Sequence, residues 1–280
     1  MKVVTQKTVL QKAVEKAREK GETIGLVPTM GALHEGHLSL IRAAIKNNDF
    51  IIVSLFVNPT QFNNLNDLER YPRDMDADLK LLKGYPVDIV FAPPVEEMYP
   101  EKDNRVFDLS PLDRIMEGKY RPGHFNGVAQ IVSKLFEAAS PDTAYFGQKD
   151  FQQLAVIKKL VDLLHLDVKI IGCPIIREKD GLAMSSRNRL LRPPERAAAP
   201  LIYQTLLEAK QMKNRHKPDE IKAFVQSAIN NHPLIQLEYF EIVDDQNLMP
   251  VKNWQEPGNK VGCIAVQLGD VRLIDNIYFS

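Results

Sequence analysis

His34 and His37 lie three residues apart in Pro28-Thr29-Met30-Gly31-Ala32-Leu33-His34-Glu35-Gly36-His37. In the first turn of a helix that spacing points both imidazoles the same way. Imidazoles facing a phosphate donate hydrogen bonds or carry a proton. Gly31 and Gly36 leave the backbone open to close approach by a ligand. The same letters suit a plain turn with two surface histidines. They also suit a shared zinc, although no nearby Cys or His completes a tetrahedral set. Three further clusters carry groups suited to acids or anions. Asn58 and Gln61, in Val57-Asn58-Pro59-Thr60-Gln61-Phe62, each offer donor and acceptor. In Gly147-Gln148-Lys149-Asp150, a glycine permits phosphate approach, a lysine adds a point charge, and an aspartate suits a helix start. Met184-Ser185-Ser186-Arg187 brings two hydroxyls and a guanidinium, good polyphosphate ligands. Each of the three also reads as an ordinary polar turn.

The elements around these clusters follow from apolar spacing. Thr23-Ile24-Gly25-Leu26-Val27 predicts a short buried strand, and Leu38, Ile41 and Ile45, with Leu40 and Ala44 beside them, predict one face of a helix. The histidine cluster is therefore strand, glycine-bearing turn, helix, with unpaired backbone N–H groups expected at the helix start, where phosphate binds well. Residues 50–57 are an apolar run broken only by Ser54, as in a parallel strand covered on both faces. Helices are predicted at 6–20, 73–83, 128–139 and 151–164, and strands at 87–92, 144–146 and 168–174. That alternation predicts an α/β class, a Rossmann-like parallel sheet domain with helices on both faces over residues 1–176. Ligands of such sheets bind beyond the carboxyl ends of the strands, where the first three clusters fall. The pattern then changes. A loop at 177–192 leads to helical spacing at 195–212 and 218–230, then to strand-like runs at 237–243, 261–268 and 271–279. This predicts a smaller C-terminal α+β domain over 177–280, with the loop as junction.

The 280 residues carry 36 Lys and Arg against 36 Asp and Glu. This balance argues against a dominant electrostatic grip on nucleic acid or membrane. Cys173 and Cys263 lie far apart in apolar surroundings and read as core filler in a reduced, cytoplasmic setting. Residues 1–5 lack the apolar run of an export signal.

His-x-Gly-His after a strand and opening a helix resembles the nucleotidyltransferase superfamily, which includes class I aminoacyl-tRNA synthetases. The longer string at 28–37 resembles the pantothenate synthetase (pantoate–β-alanine ligase) family. Asn-Pro-x-Gln-Phe at 58–62, Gly-x-Lys-Asp at 147–150 with Gln153, and Met-Ser-Ser-Arg at 184–187 also match it. The resemblance implies an ATP-dependent ligase that joins pantoate to β-alanine through a pantoyl-adenylate, releasing pyrophosphate and AMP. It places ATP at Met30 to His37, Gly147 to Asp150, Ile176, and Met184 to Arg187. It places pantoate at Gln61 and Gln153, β-alanine also at Gln61, and Asn58 close by. His34, His37 and Lys149 are the expected catalytic residues, with His37 as proton donor. The lysine that leads the related synthetase loop is replaced by Ala183, so Arg187 and Lys149 must supply the cationic charge.

Mg²⁺ is expected on ATP oxygens and not in a protein metal site, with Asp74, Asp76 and Asp78 read as one solvated helix face. Segments 71–74 and 120–127 also recur in the family. The second is expected to be a plain loop, ahead of a flap or a dimer contact. A homodimer through the larger domain and a C-terminal lid are further implications. Two other functions fit the first motif: adenylylation of a phosphate ester, which leaves AMP in the product, and a nucleotide sensor that releases no pyrophosphate.

Overall fold

The computed structural model describes residues 1–279. The chain divides into two compact units, Met1–Gln148 with Gln153–Pro174, and Lys149–Gln152 with Ile175–Ser280. The first unit opens with β1 (Lys2–Val4), α1 (Lys7–Glu19), β2 (Ile24–Thr29), α2 (Glu35–Asn47) and β3 (Phe50–Leu55). Helices α3 (Leu65–Arg70) and α4 (Met75–Leu82), strand β4 (Ile89–Phe91) and the short α5 (Val95–Met98) and α6 (Met116–Tyr120) follow. α7 (His124–Ala139), β5 (Thr143–Gly147), α8 (Phe151–Leu163) and β6 (Lys169–Cys173) complete the alternation. The six strands are all parallel and run in the order β1-β4-β3-β2-β5-β6. Val27, Ile51, Val53, Val90 and Tyr145 from the sheet pack with Ile41 and Ala44 of α2. Both expected thiols are buried and free.

The second unit contains α9 (Pro193–Ala198), α10 (Leu201–Met212), α11 (Pro218–Asn230), and an antiparallel sheet of β7 (Ile235–Asp244), β8 (Lys260–Leu268) and β9 (Val271–Tyr278). Ile202, Leu206, Ile221 and Val225 pack against Ile264 and Val266 of β8. No helix among the described residues is long and apolar enough to cross a membrane.

Four expectations need correction. The single helix at 195–212 is broken into α9 and α10 at Pro200, which lacks an N–H and whose ring crowds the preceding turn. The loop at 177–192 is partly ordered, with an Arg177–Ala183 bridge and a 3₁₀ turn at Ser186–Leu190. The plain loop at 120–127 instead ends α6 and starts α7, through Gly123 at φ 81°, and His124, Phe125 and Gly127 are buried. Finally, β1 adds an edge strand that the sequence reading does not contain; three residues are too few to show a period.

An ion cluster ties residues 103–107 to α7. The Asp103 carboxylate accepts from Arg105 and faces Lys134 at 3.3 Å, while Gln130 donates to the Asp103 and Arg105 carbonyls. The Arg105 hydrogen bonds, with help from Lys134, hold the Asp103 carboxyl well below the usual carboxylate range. A depressed folded-state value makes its stabilisation complete above the unfolded value of about 4, and that stabilisation is lost as pH falls through the folded value. Asp103→Asn therefore lowers stability by about 1–3 kcal/mol at pH 7. The deficit shrinks in urea melts repeated at pH 3.

Candidate active site

From β2 the chain builds outward through β3 and β4, then returns to place β5 on the other side of β2. The switch point of the sheet therefore lies between β2 and β5, and the crevice beyond the carboxyl ends there is where open α/β sheets bind ligands. Three of the four clusters occupy that end: residues 30–37 after β2, 58–61 after β3 and 147–148 at the end of β5.

The first turn is held internally. Gly31 and Ala32 adopt successive left-handed conformations, φ 80° and 49°. The Ala32 and Leu33 amides donate to the two carboxylate oxygens of Asp78, at 2.9 and 2.7 Å. A Cβ on Gly31 would come 2.9 Å from Asp78 Oδ2, so the glycine makes room for that carboxylate. His34 is the N-cap of α2, and the two histidines cap it reciprocally. His34 Nδ1 accepts from the Gly36 amide at 3.1 Å, and His37 Nδ1 accepts from the His34 amide at 3.3 Å. The rings lie 4.1 Å apart. The expectation of unpaired N–H groups here is corrected in part: the Gly36 amide in the first turn of α2, and the Ala32, Leu33 and His34 amides just before it, are engaged by these side chains. The capping has a chemical consequence. A ring nitrogen that accepts carries no proton, so in the neutral imidazoles the proton sits on Nε2 of both histidines. The reading of Asp78 as solvated is likewise corrected, since it is 4 % exposed. Its signal is present in the sequence: Asp78 precedes buried Leu82 by one helical turn and shares its stripe.

The second turn rests on α7. Asn58, 1 % exposed, donates to the Gly127 carbonyl at 3.0 Å and to Gln61 Oε1 at 3.2 Å, and accepts from Tyr99 at 2.8 Å and Thr60 at 3.1 Å. Both ends of its amide are engaged by protein, so Asn58 sets the Gln61 side chain in place. His124 Nδ1 donates to the Gln61 carbonyl at 2.7 Å, and Gln61 Nε2 approaches Met30 Sδ at 3.2 Å. That last contact joins the second turn to the first. α7 meets the turn so closely that a Cβ on Gly127 would lie 2.4 Å from the Thr60 carbonyl oxygen. Gly127→Ala must push residues 60–61 aside; it is expected to cut turnover about 10²-fold, the cost of roughly 1 Å of misplacement. Steady-state kinetics beside a thermal melt separate this from simple unfolding.

The remaining positions lie in the second unit. Lys149 has its carbonyl held by Asn276 of β9 at 3.0 Å, and Phe151 meets Tyr278 edge to face at 5.8 Å. Asp275, also on β9, takes both Arg177 nitrogens at 2.6 and 2.9 Å, and burial pushes its carboxyl up while the guanidinium opposes the shift. The Ile176 carbonyl accepts from the Met184 amide at 2.9 Å. Ser185 caps the 3₁₀ turn by accepting from the Arg187 amide at 3.3 Å, and Ser186 is buried within it. Ala183 is 3 % exposed and bridged to Arg177.

The structure thus gathers Met30 to His37, Asn58, Gln61, Gly147, Gln148 and Gln153 in one unit. Lys149, Asp150, Ile176 and Met184 to Arg187 belong to the other. Asp78, Tyr99, His124, Gly127 and Asn276 are supporting residues that motif reading misses. His124 and Gly127 stand in plain view in the 120–127 segment; Tyr99 and Asn276 give no local signal.

A family model described as pantoate-beta-alanine ligase matches residues 2–278. The chain is 54 % identical to pantothenate synthetase from Bacteroides fragilis strain YCH46, covering 100 % of this chain and 99 % of the relative. It is 53 % identical to the Porphyromonas gingivalis W83 enzyme of the same name, with 100 % of both covered. Among solved structures it is similar to pantothenate synthetase from Thermus thermophilus, at TM-score 0.93 and 41 % identity over 100 % of this chain and 99 % of that one. It is also similar to pantoate-beta-alanine ligase from Francisella tularensis complexed with beta-gamma ATP and beta-alanine, at TM-score 0.83 and 36 % identity over 100 % and 98 %.

Proposed function

The chain belongs to the pantoate–β-alanine ligase family, and we propose that it joins the two acids through a pantoyl-adenylate formed from ATP. In the first step a pantoate carboxylate oxygen attacks the α-phosphorus and the bond to pyrophosphate breaks. A carboxylate is already ionised at pH 7, so this step needs positioning and charge stabilisation more than a strong base. In the second step the free amine of β-alanine attacks the acyl carbon, the acyl–phosphate bond breaks, AMP leaves, and the nitrogen gives up one proton to solvent.

The observation that carries this reading is the reciprocal histidine cap beside the switch point, which fixes two adjacent rings through their Nδ1 atoms. His37 is assigned as donor to the phosphate that loses its bond, with His34 beside it. Lys149 is assigned as a point charge and Ser185, Ser186 and Arg187 as polyphosphate ligands. The residues from Met30 to His37, Gly147 to Asp150, Ile176 and Met184 are assigned to ATP. Gln61 and Gln153 are assigned to pantoate by hydrogen bonds, because an amide orients but cannot act as a strong base. No group of three or more His, Cys, Asp or Glu among the described residues is arranged as a metal cage. Mg²⁺ in this reading is carried on the triphosphate oxygens, where it offsets developing charge. A cytoplasmic homodimer belongs to the same proposal, its subunit number being read by light scattering.

Product analysis tests the reading. Pyrophosphate and free AMP should appear in equal amounts when pantoate, β-alanine and ATP are supplied together. AMP retained in the product would instead indicate transfer to a phosphate ester. ATP binding without acid-dependent pyrophosphate release would indicate a sensor.

A further inference from the structure

We infer that Glu178 and Asn188 are positioning residues that fix the Ser185-Ser186-Arg187 turn for the nucleotide, an inference resting on the assignment of that turn to ATP phosphates. The Asn188 amide group donates both hydrogens backward along the chain, to Glu178 Oε1 at 2.8 Å and to the Ala183 carbonyl at 3.1 Å. These bonds close residues 178–188 into a ring whose last arc is the serine–arginine turn. Backbone bonds brace the ring: Glu178 N to Leu182 O at 2.8 Å, Met184 N to Ile176 O at 2.9 Å, and Asn188 N to Ser185 O at 3.0 Å. Glu178 also anchors the ring to α9. Its other oxygen, Oε2, accepts from Arg196 at 2.6 Å, and the second Arg196 nitrogen reaches Asp180 at 2.6 Å.

Asn188 is 9 % exposed, and its Oδ1 is buried with no hydrogen-bond partner among the described protein atoms. A buried acceptor left bare costs stability, and an apolar side chain of similar size would avoid the cost. The amide is therefore explained by its two donors, which place the turn. Phosphate ligands on a turn that can drift lose the pre-ordering on which charge stabilisation depends. The short 3₁₀ turn has few bonds of its own to supply that order.

Separate KM values for ATP and pantoate test this. Asn188→Ala should raise KM for ATP about 10–100-fold while leaving KM for pantoate unchanged. Glu178→Ala, which removes the acceptor from a half-buried side chain, should do the same and reads the same contact should Asn188→Ala not fold. Glu178→Gln keeps an oxygen for Asn188 and should bring KM for ATP back to within about threefold of the parent. A purely structural role would lower the active fraction, and so kcat, with both KM values unmoved. That pattern, or an unchanged KM for ATP in both alanine variants, overturns the inference. If the parent itself releases no pyrophosphate with pantoate and ATP, the nucleotide assignment of the turn fails, and the positioning role with it.

Discussion

Pyrophosphate release by a His37→Ala variant is expected to fall about 10²–10³-fold, the usual cost of removing one well-placed donor to developing charge. The substitution takes away two things. One is the Nδ1 acceptor that caps the His34 amide, and the other is the Nε2–H whose position that cap fixes. The two losses can be parted. His37→Asn offers a side-chain oxygen to the cap but cannot place an N–H where Nε2 stood. Its melting temperature should stay near the parent's while its rate stays near that of His37→Ala. A His37→Asn enzyme with the parent's rate would reduce His37 to a structural cap.

The second large effect is at Asp78. Asp78→Ala leaves the Ala32 and Leu33 amides buried without their acceptor. Each such loss costs about 1–3 kcal/mol, so the fold should weaken by about 2–6 kcal/mol. Ala32, left-handed at φ 49°, would no longer be held against its preference, because left-handed backbone at a non-glycine residue persists only where surroundings enforce it. These residues lead directly into His34. A shift of roughly 1 Å in the histidine pair should lower turnover about 10²-fold even in the folded fraction. Urea melts give the stability change, and kinetics below the melting transition give the rate. Full turnover per folded molecule would show that Asp78 supports the fold without placing the histidines.

The parallel sheet is legible in the chain because its strands are buried on both faces and its helices carry clean apolar stripes, as in 50–57 and 151–164. Three of the chemistry-bearing turns are legible for a related reason: they follow directly on strands, so topology alone sends them to one end of the sheet. What stays hidden is what holds those turns still. Asn58 looks like a ligand-facing amide in the sequence, yet its partners are Gly127, Tyr99 and Gln61. Two of those lie tens of residues away, where no local period connects them. The N–H groups of the turn before α2 and at its start look open because the side chains that engage them, Asp78 and the histidines themselves, also look occupied elsewhere. Asp78 is masked by two neighbouring aspartates that are exposed. Segment 120–127 reads as loop from its Pro and Gly, whereas Gly123 ends one turn and starts α7 by adopting φ 81°.

A reversible step between ATP and pantoate, before β-alanine is present, is the central claim. Positional isotope exchange measures it, using ATP labelled with heavy oxygen in the bridge between the α- and β-phosphorus. With pantoate bound and β-alanine absent, label should move from the bridge to the outer oxygens of the β-phosphate, and it should stay in place when pantoate is withheld. Competent ligation of the complete mixture with no such movement under pantoate would contradict the adenylate route.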